Sequence, residues 1–431
     1  MGRLSLIGIA VALLAGAQPA SADAKGARPD RAFGAGAGWV TTHIRGATSL
    51  AYDAAVVRGG KIVIAGQATN RAGKGQIVVA RYGRHGRLDR GFGSRGVFRT
   101  ALPAKQGPFI ATSVMQERST RRLVVAGGYG QGSMLVLRLT ADGRLDRTFG
   151  KHRSGLTRVN AGGIAESVAL QRGGRILVGG SNANSNGRPM VIARFSHGGA
   201  LDPSFGSGGL AKSLFWNPDL AASAGVTGLV VAPDGGILAS GHLDYIGSDG
   251  HGSAGVFRLD PNGQPVQGFG SGGHVEVAFT NPSGAFAQWF PCAMSVDSLG
   301  RITVTGDGST GSGGALLTAR LTSSGALDPS YGETGDGRVV TQGLRGDSIT
   351  TCGATAGSAG NLTAGVGSTL AQLGPAGTAN GSFAPGGLLE IDRPRRVTVN
   401  AVAPSGSRRI VLAGAAGRDL YVARYRLPSG Q

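Results

Sequence analysis

The sequence predicts an all-β fold: a seven-bladed β-propeller of four-stranded antiparallel blades, with the last blade closed by the N-terminal strand. Three observations predict it. A motif of the form LDPSFGSGG recurs seven times at a near-constant spacing; four short apolar runs separated by turn residues fill each interval; and the two ends of the chain hold complementary parts of one interval.

The first element is a leader. Residues 1–22 read as a secretory signal peptide: Arg3, an apolar run from Leu4 to Ala17, then the small residues Ala20, Ser21 and Ala22, with cleavage expected before Asp23. The run is shorter than the roughly 20 residues that a membrane span needs. No later segment is long and apolar enough to span, and no Cys follows the run to accept a lipid. Residues 23–431 are therefore expected to form a soluble, exported chain, secreted or periplasmic.

A length of 409 residues after cleavage would ordinarily mean two or more domains. No Pro-rich, Ser-rich or charged linker divides the chain, however, and its texture is even throughout. Gly supplies 79 of 431 residues without a three-residue period, which excludes collagen, and the 41% hydrophobic content excludes disorder. Short strands joined by tight turns remain.

The motif copies begin at Pro29, Leu88, Leu145, Leu201, Pro265, Leu327 and Ala379. Their aromatic residues are Phe33, Phe92, Phe149, Phe205, Phe269, Tyr331 and Phe383, at spacings of 59, 57, 56, 64, 62 and 52. Within each interval an apolar run such as SVAL meets a turn such as RGG. A second run ends in Gly, as in KIVIAG, RLVVAG and RILVGG. A variable loop leads to a third run, such as IVVARY or VIARF, and a second Gly turn precedes the motif and a short fourth run. Runs rich in β-branched residues and bounded by Gly, Asp and Asn read as antiparallel strands joined by hairpins. Seven units of four strands make a propeller. The 48 residues after Phe383 and the 11 from Asp23 to Phe33 together make one further period of 59. The C-terminus stops after a third strand and the N-terminus supplies the fourth, so the two ends are expected to complete one blade, leaving few free sheet edges.

A DGKIVVAG-like hairpin, a VARY-like strand and an LDxSFGxGG turn, seen here as RGGRILVGG, VIARF and LDPSFGSGG, resemble the delta-60 repeat or DUF5122 β-propeller proteins. The resemblance covers essentially all of the mature chain. It implies a propeller fold and an exported bacterial protein, and it brings no catalytic residues.

The recurring residues read as scaffold. Eleven residues before the aromatic stand Arg81, Arg138, Arg194, Arg258 and Arg320, with Gln372 as the exception; three before it stand Asp30, Asp89, Asp146, Asp202 and Asp328, with Val266 and Asn380 as exceptions. The unit with Gln372 also has Asn380, a joint loss that suggests a pairing of the two positions, with Arg424 pairing Asp30 across the closure. The aromatic reads as a plug between neighbouring sheets, and the Gly after it, missing only at Ala384, as a special backbone position. Cys292 and Cys352 lie at equivalent positions of adjacent units. In an exported protein they are disulfide candidates, the alternative being two buried thiols.

Signs of chemistry are few. GDGSTG from Gly306 fits G-x-G-x-x-G but a strand follows it; there is no nucleophile elbow, metalloprotease helix, P-loop or complete Ca²⁺ loop. No cofactor and no metal is implied. His242, Asp244, Tyr245, Asp249 and His251 crowd one departure from the repeat and form a candidate ligand-binding set, against the plainer reading of a solvated insertion. The net charge of +19 favours anionic partners such as a polyanionic glycan or a cell-surface component. No aromatics interleave with the basic residues, which argues against specific nucleic-acid binding. Two functional readings follow. One is a monomeric binding scaffold whose recognition lies in the loops 67–75, 181–188, 242–254 and 307–314. The other is a hydrolase or lyase on anionic polysaccharide, with a site at the channel mouth.

Overall fold

The computed structural model describes residues 26–100, 109–129, 133–161, 163–181, 190–212, 221–245, 252–280, 287–309, 314–344, 352–357 and 360–428. Within them the chain forms seven antiparallel sheets in sequence order. Blade 1 shows the pattern, with strands Ala47–Val57, Lys61–Asn70, Gly75–Tyr82 and Val97–Arg99 each paired to the next. Blades 2 to 6 repeat it and begin at Phe109, Ala165, Ala221, Gln288 and Cys352. Blade 7 takes Val397–Pro404, Arg409–Ala416 and Asp419–Arg426 from the C-terminus; its outer positions are filled by Arg28–Pro29 and Trp39–Thr42, both paired to Asp419–Arg426. The N-terminal segment thus closes the ring.

The first strand of every blade packs on the first strands of both neighbours, so these seven strands form the inner ring. Six of them carry a β-bulge at the same place, on Tyr52, Thr112, Glu166, Thr227, Cys292 and Asn400. The bulge explains the Gly that ends the second run of the repeat. A Cβ at Gly66 would stand 2.0 Å from Leu50 O, and one at Gly127 1.9 Å from Ile110 O, so no larger residue fits beside the bulged strand. Bulged residues also reach the next blade. Thr112 Oγ1 donates to Ala165 O at 2.6 Å, Thr227 Oγ1 to Pro291 O at 2.7 Å, and Asn400 Nδ2 to Ala51 O at 2.7 Å. In blade 1 the following residue does this, with Asp53 Oδ2 accepting from Val114 N at 2.7 Å. Cys292 is disulfide-bonded, and the chain's other cysteine, Cys352, heads the first strand of blade 6.

A second set of ties lies in the repeated motif. Arg138 Nε donates to Asp146 at 2.7 Å, its guanidinium lies over the Phe149 ring at 4.7 Å, and its Nη1 reaches His197 O of the next blade at 2.5 Å. Phe149 is fully buried beneath Gly199 of that same turn, where a Cβ would stand 2.7 Å from the ring. Gly150, at φ 77°, donates its N–H to Gly198 O. This clasp of arginine, aromatic and glycine recurs with Arg81, Arg194, Arg320 and Arg424, whose Nη1 atoms reach Ala141 O, Pro261 O, Pro375 O and Arg84 O. Arg424 Nε meets Asp30 at 2.7 Å, so the clasp also crosses the closure.

Two blades depart from it. Arg258, which faces Val266 rather than an Asp, turns to Asp234 at 2.7 Å while still reaching Ser323 O. In blade 6, Gln372 Oε1 accepts from Asn380 at 2.8 Å and makes a neutral version of the pair. Ala384 there is extended at φ −165° instead of left-handed.

Phe205 is 0% exposed and lies under the Arg194 guanidinium at 4.7 Å. Phe205→Ala is expected to cost about 3–5 kcal/mol, read as a lower urea midpoint at unchanged slope; an unchanged midpoint would remove Phe205 from the core. Unfolded, unreduced protein is expected to show no titratable thiol. Two reactive thiols would mean that the seam between blades 5 and 6 is not covalently closed.

Candidate functional site

In a four-stranded antiparallel blade the first-to-second and third-to-fourth turns share one end, and the second-to-third loops share the other end with the connections between blades. The clasps lie at the former, the turn end. Their hydrogen bonds fix its backbone, so the turn side chains project from a rigid rim.

Charge is divided unevenly around that rim. In blade 1 it carries exposed Arg84, Arg87, Arg90 and Arg95; in blade 2, Arg118, Arg121, Arg144, Arg147, Lys151 and Arg153; and in blade 3, Arg172 and Arg175. Blade 7 adds Arg28, Arg31, Arg408 and Arg409. The equivalent turns of blades 4 and 5 carry Asp234, Asp260, Asp297, Glu333 and Asp336, with Arg301 as their one arginine, and those of blade 6 carry no charged residue. The propeller therefore presents a basic arc over about half its rim.

Of this arc the repeated Asp residues meet Arg175 and Arg409, and otherwise they serve the clasps. Each is met by the third-strand Arg and by a second cation at the start of the second strand: Lys61 to Asp89 at 2.7 Å, Arg122 to Asp146 at 2.9 Å, Arg409 to Asp30 at 3.1 Å. Burial acts to raise the Asp146 carboxyl, but hydrogen bonds from Thr148 and the charges of Arg138 and Arg122 outweigh it and hold the group below the usual carboxylate range. Asp146 stays ionised and fully engaged by its own blade.

The residues expected to bind ligand are placed differently from the loop foreseen. His242, Asp244 and Tyr245 belong to the strand Ile237–Tyr245, which pairs as far as Asp244 with Gly252, while Asp249 and His251 lie outside the described residues. His242 is half-buried and lies across the seam from Glu166, the bulged residue of blade 3. A Cβ on Gly225 would stand 2.8 Å from His242 Cε1 and 2.9 Å from Glu166 Oε1. Enclosure pushes the Glu166 carboxyl up to about 7. Glu166 carries no motif signal, and only the bulge register reveals its place. Of the loops expected to carry recognition, residues 71–74 form a tight turn; 181 belongs to a strand while 182–188 lie outside the described residues, as do 246–251 and 310–313. Among the described residues no group of three or more His, Cys, Asp or Glu side chains could hold a metal ion, and no helix is long and apolar enough to cross a membrane.

Asp307, on the second strand of blade 5, is 3% exposed, and neither carboxylate oxygen has a hydrogen-bond partner among the described residues. Burial pushes its pKa from 3.8 up to about 7. The folded chain then retains a proton that the unfolded chain releases near pH 4, so folding is favoured below that pH and the advantage is lost as pH rises through 7. Asp307→Asn is expected to melt like wild type at pH 4 and higher than wild type at pH 8. Equal melting at both values would mean that Asp307 is not a buried, isolated carboxyl.

Comparison with known proteins finds solved structures that align with most of the chain. A catalytically inactive virginiamycin B lyase from Staphylococcus aureus aligns with TM-score 0.49 at 10% identity, covering 90% of this chain and 99% of that one. Polysaccharide lyase Uly1 aligns at 0.50 and 9% identity over 88% and 90%, and Sqt1 from Chaetomium thermophilum at 0.47 and 13% over 86% and 80%. No curated protein matches the chain in sequence. The family described as Domain of unknown function (DUF5122) beta-propeller matches residues 60–92, 119–149, 171–205 and 300–331. Each match runs from the entry of a second strand to the recurring aromatic, in the four blades whose clasp residues are all present within one stretch of chain. Blade 4 lacks the Asp, blade 6 lacks both Arg and Asp, and blade 7 is divided between the termini. The chain is a seven-bladed β-propeller that matches the DUF5122 beta-propeller family model in four of its blades.

Proposed function

We propose that this chain is an exported binding scaffold for a polyanionic ligand, an anionic glycan or cell-surface polymer, engaged by the basic arc at the turn end of blades 7, 1, 2 and 3. The observation that carries this reading is the one-sided gathering of exposed arginine on turns whose backbone the clasps fix. Guanidinium groups suit this task. They stay charged at any physiological pH and present planar donor forks to carboxylate, sulfate and phosphate. A preordered rim also lowers the entropy lost when an extended polymer is bound. The acidic turns of blades 4 and 5 would repel the same polymer and so give it one direction of approach.

A catalytic reading has one observation in its favour, the approach of Glu166, on an inner strand, and His242, on the second strand of blade 4, to the same point beside Gly225. A carboxyl that titrates near neutrality beside an imidazole could exchange protons with a bound sugar. If that is the function, Glu166→Gln abolishes turnover of an anionic polysaccharide while its binding persists. If the scaffold reading holds, the wild-type chain binds and leaves the polymer intact.

The binding itself is tested by titrating a sulfated glycan into wild type and into a combined Arg84→Ser, Arg87→Ser, Arg144→Ser variant at low and high salt. Three exposed contacts of about 0.5 kcal/mol each give roughly a tenfold weaker variant at low ionic strength. High salt should bring the two together. Wild-type protein that binds no polyanion at low ionic strength would defeat the proposal.

A further inference from the structure

We infer that the cavity between blades 6 and 7 at the turn end is a subsite for one sulfate or phosphate group. It deepens the polyanion reading by naming where a single charged group of the ligand is gripped, and for its natural ligand it rests on that reading.

The cavity has a volume of about 800 Å³ and is lined by Arg28, Arg408, Arg409 and Arg426, together with the hydroxyl residues Ser382, Ser405 and Ser407. The seam beside it has no arginine clasp. At the blade 2 seam the Arg138 guanidinium reaches His197 O. The residue in register with His197 at this seam is Leu427, which lines the cavity. Gln372, in place of the arginine, is too short to cross and donates instead to Thr363 within its own blade at 2.9 Å. Ala384, lacking the left-handed backbone of the glycines at this position, does not make the glycine N–H tie.

The cavity's charge is also unlike that of any other seam. Asp30 is fully buried and accepts from Arg424 at 2.7 Å, Arg426 at 2.9 Å and Arg409 at 3.1 Å. Three guanidiniums thus share one carboxylate, where the clasps of other blades set two cations against it. The third, Arg426, does not belong to the repeat. At its position the other blades carry Gly83, Thr140, Ser196, Asp260, Thr322 and Gly374. Arg28 and Arg408 add two more exposed guanidiniums on the same wall. An excess of planar donors beside three serine hydroxyls, in a concavity large enough for a sugar unit, is the complement of a tetrahedral oxyanion with several acceptor oxygens. A sulfate ester and a phosphate offer the same acceptors, so the chemistry assigned is that of either group.

The test is calorimetric titration of wild-type protein with inorganic sulfate, inorganic phosphate, and a sulfated and a phosphorylated tetrasaccharide. One site is expected, and the better tetrasaccharide identifies the source of the anion. Arg408→Gly with Arg426→Thr, residues that other blades carry at these positions, should weaken binding of the inorganic anion about tenfold or more without lowering the melting temperature. Gln372→Arg with Asn380→Asp restores the missing clasp. By committing Leu427 O on the cavity wall to the new guanidinium, it should weaken the site about tenfold or more and raise the melting temperature, so a loss of binding cannot be ascribed to misfolding. Arg71→Ser with Lys74→Ser, on the exposed turn at the opposite end of blade 1, should leave the inorganic anion's affinity unchanged. Wild-type affinity in both cavity variants overturns the site, even where polyanion binding by the arc survives. One-site binding of the inorganic anion that both cavity variants weaken, with no binding of any polyanion, upholds the site and sinks the scaffold reading.

Discussion

The ring depends on an arginine shared between two blades. Each clasp guanidinium is neutralised by an Asp of its own sheet, lies over an aromatic of its own sheet, and gives its last donor to a carbonyl of the next. No member works alone. Without the Asp a charge would be buried uncompensated, without the aromatic the seam would hold a void, and without the glycine of the neighbouring turn the ring would have no room. The bulged inner strands supply the second anchor of each seam, so most sheets are pinned near the axis and again near the rim. Two lines of attachment fix an orientation where one would act as a hinge.

Much of this was legible in the sequence because repetition turns one observation into seven. The aromatic period gave the blades, and the split final unit gave the closure. The joint appearance of Gln372 and Asn380 pointed to a pairing that the structure displays in neutral form. The second cation on each Asp was also written there, since Lys61, Arg122, Arg175, Arg301 and Arg409 give way to Gly236 and Asn361 in the two blades that lack the Asp. The basic arc was not legible from net charge. It requires knowing that the first-to-second and third-to-fourth turns lie at one end, which brings residues far apart in sequence onto one surface. The strand that carries His242 and Tyr245 was read as a loop because its glycines and charged residues mimic a turn, whereas pairing on both sides holds it extended. Glu166 was invisible for another reason: a carboxylate inside a strand has no local signature, and only the bulge sets its direction.

A scaffold of this kind separates stability from recognition. Clasp residues recur and are committed to neighbours; the residues free to meet a ligand are those the repeat leaves unspecified, on turns whose backbone is already held. At one seam the two roles exchange places. The position that should carry a clasp arginine holds the neutral Gln372–Asn380 pair, and arginines gather around a cavity at the same seam.

Every clasp points the same way, from one blade to the next in sequence. Each interface is therefore heterologous, a donor surface against a different acceptor surface, and nothing within a single blade states how many should follow. Such a series ends either by meeting its own beginning or by recruiting another molecule. In this chain the meeting is made by the short N-terminal strands on Asp419–Arg426. Those few residues decide whether the same set of contacts yields one finite ring or a chain of molecules joined head to tail.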